Sequence, residues 1–284
     1  MKSLLKGAFN GFDKTLTNAQ SVLTGSGDSA FAINDVWDVV LTISEALKPF
    51  CMTVIAICLL IELAQVASKV DIIKWEHGLK ICVKMVLAKV CIDVAPTFLK
   101  ACYLQSAEWI TSALGTGTYM SMGSLISSEV NNRIDSISGI WANLGLFGSC
   151  LILAIAIKIC GLLIMVIAFA RMFEIYVYLA VSPLPCAFFP LGDGSGGGMS
   201  RITMKFFKNF IAVCLQGVMM IVCLRIFSMI LTSSLSTFIA ADLTAGNATV
   251  VVYNLCFTML MGCITLVVAV SKCGSWAKAI MDAG

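Results

Sequence analysis

The sequence predicts an all-α polytopic membrane protein with about five transmembrane helices, a Pro-broken re-entrant or interfacial helix and an N-terminal amphipathic helix. Three observations carry this prediction. The 284 residues are 59% hydrophobic and only 12% charged, against about 25% charged in soluble domains. The mean hydropathy is +0.96. Several stretches also approach the roughly 20 apolar residues that cross a hydrocarbon core about 30 Å thick. These features exclude a soluble enzyme. The net charge of +3 comes without any run of basic residues, so there is no patch for tight nucleic-acid binding.

The opening stretch lacks the continuous apolar core and small-residue cleavage site of a signal peptide. Its apolar residues, Leu4, Leu5, Ala8, Phe9, Phe12, Leu16, Ala19 and Leu23, recur at helical spacing along one face. Such a helix either lies along the bilayer surface or packs on a partner subunit. Gly25 to Asp28 ends it, and a second amphipathic piece through Trp37, Val40 and Leu41 leads toward Pro49. Residues 1–46 thus read as an extracytoplasmic or interfacial amphipathic region.

The spans follow. Leu47 to Ala67 is apolar except for Glu62 and Gln65 near its end, and Leu79 to Leu104 is interrupted by Lys80, Lys84, Lys89, Asp93 and Lys100. These two occupy residues 47–104. An outer loop over 105–143 leads to a third span, 144–170, whose only charge is Lys158. Residues 206–284 hold the last two, Phe206 to Leu231 with Lys208 and Arg225, and the uncharged Val250 to Val270, followed by a short tail.

Between the third and fourth spans, residues 171–205 are apolar enough to enter the bilayer but carry Pro183, Pro185 and Pro190, which cannot continue a regular helix. Backbone broken at membrane depth must be shielded by protein or water, because each unsatisfied polar group costs several kcal/mol in lipid. A re-entrant or interfacial helix therefore replaces a sixth crossing. The glycine-rich stretch Gly192 to Gly198 reads as a loop, and it lacks the Gly-Lys-Ser/Thr ending of a phosphate-binding loop.

Lys and Arg mark cytoplasmic loops. Lys69, Lys74 and Lys80 border the first connector, Arg201, Lys205 and Lys208 precede the fourth span, and Lys272 and Lys278 lie in the tail. The connector Gln105 to Asn143 has Arg133 alone against Glu108, Glu129 and Asp135, and Thr232 to Thr249 has no basic residue. The pattern implies a multi-pass membrane protein with its N-terminus out and its C-terminus in.

A charge at a helix centre costs at least about 2.5 kcal/mol in the bilayer, so it usually faces a bundle interior or a water-filled cavity. Glu62, Lys89, Asp93, Lys158 and Arg225 are the candidates for an intramembrane polar pathway. Lys89, Asp93 and Lys100 share one helical face, while Lys80 and Lys84 lie nearly opposite and can snorkel. Rise arithmetic sets Asp93 about 21 Å and Lys158 about 18 Å from the inner ends of their spans, similar depths in antiparallel neighbours. A structural pair, between these two or between Lys89 and Asp93, and a lined pathway both remain open. At the inner end of the third span, Arg171 and Glu174 with Pro183 and Pro185 form a candidate elbow, or else simple interfacial anchoring with Tyr176 and Tyr178. Trp109, Trp141 and Trp276 fall near interfaces.

No catalytic constellation is present, and no cofactor is expected. The lone histidine, His77, stands in a polar connector without companion ligands, so neither a zinc site nor an intramembrane serine protease fits. None of the 13 cysteines forms CxxC. Cys51, Cys58, Cys82, Cys91, Cys150, Cys160, Cys214, Cys223, Cys256 and Cys263 lie in apolar stretches and read as small buried residues.

The order of these features, together with FARMFEIYVYLAVSPLPCAFFPLGDGSGGGMSRITMKFFKNFIAVCLQG at Phe169 to Gly217, resembles the TrbL family. That family includes the sixth VirB component of conjugative type IV secretion systems. Arg171, the Tyr-rich helix, Ser182-Pro183-Leu184 and the basic approach to the fourth span are similar to chains of integrative conjugative elements in Gram-positive bacteria. The resemblance implies a non-enzymatic channel component that helps move DNA and protein across the membrane. It also implies a homo-oligomer working with other type IV secretion membrane subunits, with transient contact to a DNA-protein substrate. Two other classes remain. A small-solute or ion transporter would use Glu62, Asp93 and Lys158 for coupling. A purely structural assembly subunit would tolerate their neutralisation.

Overall fold

The computed structural model describes residues 2–24, 34–68, 75–114, 140–190, 201–242 and 248–282. Every regular element among them is a helix: α1 (Lys2–Thr24), α2 (Asn34–Ser68), α3 (Trp75–Leu114), α4 (Ile140–Val181), α5 (Pro183–Ala187), α6 (Arg201–Asp242) and α7 (Ala248–Asp282). Among the described residues, four segments are long and apolar enough to cross a membrane: Val36–Ala64, Phe147–Ala187, Arg201–Ile230 and Phe257–Met281. The stretch expected as the second span lies in α3, which has ample length, but its lysines and Asp93 keep it out of this set. His77, expected in a connector, falls at the start of α3. The outer loop is shorter than expected, because α3 runs to Leu114 and α4 begins at Ile140; the rest of that loop lies outside the described residues.

Helix ends follow from local chemistry. Pro49 and Pro96 lie inside α2 and α3, as membrane helices tolerate when neighbours re-satisfy the freed carbonyls. The third span does not stop at Ala170. It continues as one 42-residue helix to Val181, about 63 Å long, since nothing from Ala170 onward breaks it before Pro183. Pro183 has no N–H to continue the ladder to the Leu179 carbonyl, so the long helix ends before it although Ser182 keeps helical angles, φ −53° and ψ −32°. Ser182 makes that end, its amide bonding the Leu179 carbonyl at 3.2 Å and its hydroxyl bonding the same oxygen at 2.8 Å. Pro183 then takes the first position of α5, where a missing N–H costs nothing.

The chain divides into two compact units. The first comprises Met1–Ser29, Ile110–Ala170 and Gln216–Trp276. Its core joins Phe9, Phe12, Leu16, Ala19 and Leu23 of α1 to Ile157 and Ile164 of α4, Met220 and Leu224 of α6, and Cys263 and Val270 of α7. The apolar face of α1, expected on the bilayer surface or on a partner, is therefore covered by the chain's own helices. Gly161 allows the approach: a Cβ there would stand 3.4 Å from both Phe12 Cδ2 and Thr15 Cγ2. Small residues permit this kind of close contact between membrane helices.

The second unit comprises Ala30–Trp109, Arg171–Leu215 and Ala277–Gly284. Two layers of contacts define its register. In the first, Trp37 meets Tyr176 edge-on, ring centres 4.8 Å apart, and Tyr103 at 6.0 Å, while the Tyr103 hydroxyl donates to Met172 Sδ at 2.9 Å. The second layer gathers Cys51 and Ile55 of α2, Ala88, Ile92 and Ala95 of α3, and Cys186 and Ala187 of α5. From Trp37 to Cys51 along α2 is about 21 Å, and from Tyr103 back to Cys91 along α3 about 18 Å. The segment from Met172 to Cys186 thus runs antiparallel to α3, from near its C-terminal end to its middle. The start of α6 returns alongside: Thr203 Oγ1 donates to the Pro185 carbonyl at 2.7 Å, and Tyr178 packs on Phe206 and Phe210. The result is a helical hairpin whose tip reaches the mid-length of α3.

The helix breaks at Pro183, as the prolines predict, but its register differs from the expected one. Arg171 and Glu174 were expected at the inner end of a span. The structure sets Met172, next to Arg171, against Tyr103 toward the C-terminal end of α3, so two helix ends read as lying on opposite sides are at one level. Counting loop charges cannot register a helix about twice as long as the hydrocarbon core is thick.

In the first unit the buried Gln216, 2% exposed, lies against Gly274, where an added Cβ would come within 2.8 Å of its Nε2. Gly274→Ala is expected to cost about 1–3 kcal/mol through overpacking, with Gln216→Ala recovering much of that loss in the double variant. Thermal unfolding in detergent reads both, and additive losses would refute the contact.

Candidate functional site

The candidate polar residues separate into distinct places. Glu62 of α2 pairs with Lys84 of α3 at 2.5 Å, the two side chains only 16% and 20% exposed. Lys84, expected to snorkel away on the far face, is thus the counter-charge of the first intramembrane acid. The other carboxylate oxygen of Glu62 is buried without a hydrogen-bond partner among the described residues. Asp93 takes Lys48 of α2 at 4.0 Å, with its own side chain 54% exposed. The pairings considered from depth and helical spacing, with Lys158 or Lys89, give way to this one because α2 packs directly along α3. At 4.0 Å and half exposed it is a loose contact of small worth.

Lys100 was expected to share a face with Lys89 and Asp93. Its ammonium lies 5.1 Å from the centre of the Trp37 ring, a cation–π contact that adds to the aromatic layer. Lys89 is exposed on α3 beside Val86 and Val90. Arg225 is partly buried on α6.

Lys158 stands apart from all of these. It is exposed at the centre of a stripe on α4 formed by Leu151, Ile155, Ile159, Leu162 and Val166, all exposed and all apolar. The spacing places these residues on one helical face. Seven residues, about 10 Å, separate Lys158 from Leu151, and eight, about 12 Å, from Val166. No hydrogen bond or ion pair to the Lys158 ammonium occurs among the described residues.

The elbow residues are assembled as a unit. Arg171 and Glu174 form an ion pair one turn apart on α4, Pro183 is buried at the start of α5, and the Pro185 carbonyl accepts the Thr203 hydroxyl. The aromatic layer of Trp37, Tyr103 and Tyr176 was not foreseen, since Trp37 read only as part of an amphipathic piece. Its signal was the matching of three aromatic residues and Met172, visible only once the hairpin register is known. Of the cysteines read as buried, Cys82 is exposed and Cys91, Cys214 and Cys223 are partly so; the Cys256 side chain lies outside the described residues. Among the described residues no three His, Cys, Asp or Glu side chains converge as metal ligands.

Removing one partner of a buried ion pair strands the other charge, at about 3–5 kcal/mol when burial is complete. Lys84→Met is therefore expected to lower stability more than the double change Glu62→Gln with Lys84→Met. Parallel thermal unfolding of both variants checks the order, and a reversed order would refute the pair.

A family model described as "TrbL/VirB6 plasmid conjugal transfer like protein" matches residues 17–183. The match runs from the middle of α1 through α2, α3 and α4 to the proline break. It overlaps the Phe169 to Gly217 stretch only at its start, so all of α6 and α7 lie beyond it. No curated protein and no solved structure matches the chain at a significant level. With more than half of its length matched, and with an all-helical, strongly apolar structure, the chain belongs to the TrbL/VirB6 family of conjugal-transfer proteins.

Proposed function

We propose that this protein is a non-enzymatic subunit of a conjugative type IV secretion channel in a bacterial inner membrane, contributing to DNA and protein translocation. In this reading its N-terminus is outside and its C-terminus inside, and it assembles with further copies of itself and with other membrane subunits of the machine. Family membership supports the general role. The observation that carries the channel reading is Lys158. A lysine at the centre of an exposed apolar stripe costs at least about 2.5 kcal/mol in lipid, and Lys158 has no ion pair among the described residues and lacks the helix-end position that snorkelling requires. Its face is better matched by a neighbouring subunit or by water along a translocation path than by hydrocarbon.

The transporter alternative finds less support. A coupling site needs its acids together, but Glu62 is held by Lys84 while Asp93 is held by Lys48. Glu62 and Lys48 are 14 residues apart on one continuous helix, about 21 Å. The close Glu62–Lys84 pair ties α2 to α3, and Lys48 stands only loosely beside Asp93.

Lys158→Glu is expected to lower the frequency of conjugative transfer at least about tenfold, the equivalent of 1.4 kcal/mol, while Lys158→Arg stays near wild type. Transfer counts between donor and recipient cells, normalised to the amount of protein in the membrane, give the comparison. Undiminished transfer by the Lys158→Glu variant would remove the support for this face.

A further inference from the structure

Two pairs of cysteines approach one another more closely than a set of small apolar core residues requires. Cys91 Sγ of α3 lies 3.3 Å from Cys186 Sγ of α5 in the second unit. In the first unit, Cys223 of α6 and Cys273 of α7 stand 3.6 Å apart. A disulfide needs about 2.05 Å between sulfurs, so closing the first pair takes a movement of about 1.3 Å.

The two pairs differ in their freedom to make that movement. Cys223 and Cys273 each sit within a long continuous helix, and the Cys273 thiol donates to its own helix at the Ala269 carbonyl, 3.2 Å away. Cys186 sits in the five-residue helix that follows the proline break. That helix is bounded by single turns, Ser182 to Leu179 on one side and Phe188 to Pro185 and Phe189 to Cys186 on the other. A short segment outside the ladder of a long helix can shift by an ångström without breaking a run of hydrogen bonds.

The sulfurs also differ in access. Cys186 is fully buried, 0% exposed, and Cys91 is partly exposed. Leu87 and Val94, four residues before and three after Cys91, share its helical face and are both exposed. The approach to the Cys91 sulfur is therefore bordered by apolar side chains, which suits an oxidant dissolved in the bilayer.

We propose that Cys91 and Cys186 form a dithiol modification site that organic hydroperoxides of the lipid phase convert to a disulfide, fastening the tip of the hairpin to the middle of α3. Cys91 reacts first. Its sulfur attacks the terminal oxygen of the hydroperoxide, the O–O bond breaks, and the products are the organic alcohol and a sulfenic acid on Cys91. The Cys186 sulfur then attacks the Cys91 sulfur; the S–S bond forms, the S–O bond breaks, and hydroxide leaves with the Cys186 proton as water. Each sulfur loses one electron, and the peroxide oxygens take up the two. Without the bond, the tip is held by packing in the layer of Cys51, Ile92 and Ala95 and by the Thr203 to Pro185 hydrogen bond. With it, the proline elbow and α3 move as one piece.

The test uses the full-length protein in membranes, treated with cumene hydroperoxide, quenched with N-ethylmaleimide, and digested with trypsin without reductant. Cleavage after Lys89, Lys100, Arg171 and Arg201 leaves Cys91 in peptide 90–100 and Cys186 in peptide 172–201. Mass spectrometry is expected to find these two joined as the main form of Cys186 and separated again by dithiothreitol. In Cys186→Ser, dimedone should label Cys91; in Cys91→Ser, Cys186 should stay unlabelled. Recovery of both peptides singly with alkylated cysteines overturns the site, as does a link between Cys223 and Cys273 in its place. Dimedone labelling of Cys186 in Cys91→Ser overturns the order of the two sulfurs.

Discussion

Pro183 cannot donate a backbone hydrogen bond to the Leu179 carbonyl, and the amide and hydroxyl of Ser182, itself still helical at φ −53° and ψ −32°, take that oxygen instead. The hairpin of the second unit depends on that local constraint. Without it, a segment as uniformly apolar as Ile140–Val181 has no reason to stop. With it, the chain ends α4 at Ser182, makes one short turn of helix, and begins α6 at Arg201 so that Thr203 reaches the Pro185 carbonyl. Backbone polar groups released by the break need partners at this depth, and the Ser182 amide, the Phe188 and Phe189 amides and the Thr203 hydroxyl supply bonds among themselves and their neighbours. The elbow is thus a satisfied irregularity, held beside the middle of α3 by Cys51, Ile92 and Ala95.

The charges of the second unit obey the same logic of satisfaction. Glu62 and Lys84 meet where α2 and α3 continue past the hairpin tip, Lys48 and Asp93 meet nearer the aromatic layer, and Lys100 covers Trp37. Each is an α2–α3 contact, so two of the lysines that made α3 look too polar to be a span, Lys84 and Lys100, help tie it to α2. Membrane helices gain little from apolar contact with one another, because lipid tails are equally apolar. Polar pairs and small residues such as Gly161 therefore carry more of the specificity, and the functional reading turns on Lys158, which like Lys89 has no such pair among the described residues.

Much of the architecture was legible in the sequence, because hydrocarbon imposes a composition. The class, the approximate positions of the spans, the amphipathic character of α1 and the proline break all follow from apolar runs, periodicity and the chemistry of proline, and the resemblance to the TrbL family agrees with the match over residues 17–183. Helix ends were less legible. Ala170 looked terminal because Arg171 follows it, yet a single arginine with a glutamate one turn away does not stop a helix.

What the sequence determined by itself is which segments avoid water and which residues cannot continue a helix, since both are local properties of side chains and backbone. Only the tertiary structure decided which face of each helix meets which neighbour: that α1 covers its own chain, that Lys84 answers Glu62, that Trp37 and Tyr176 share a layer, and that Cys91 touches Cys186. In a chain where almost every helix is apolar all round, periodicity marks no inward face. Register is then set by long-range contacts such as Tyr103 to Met172 and Thr203 to Pro185, which no local pattern encodes.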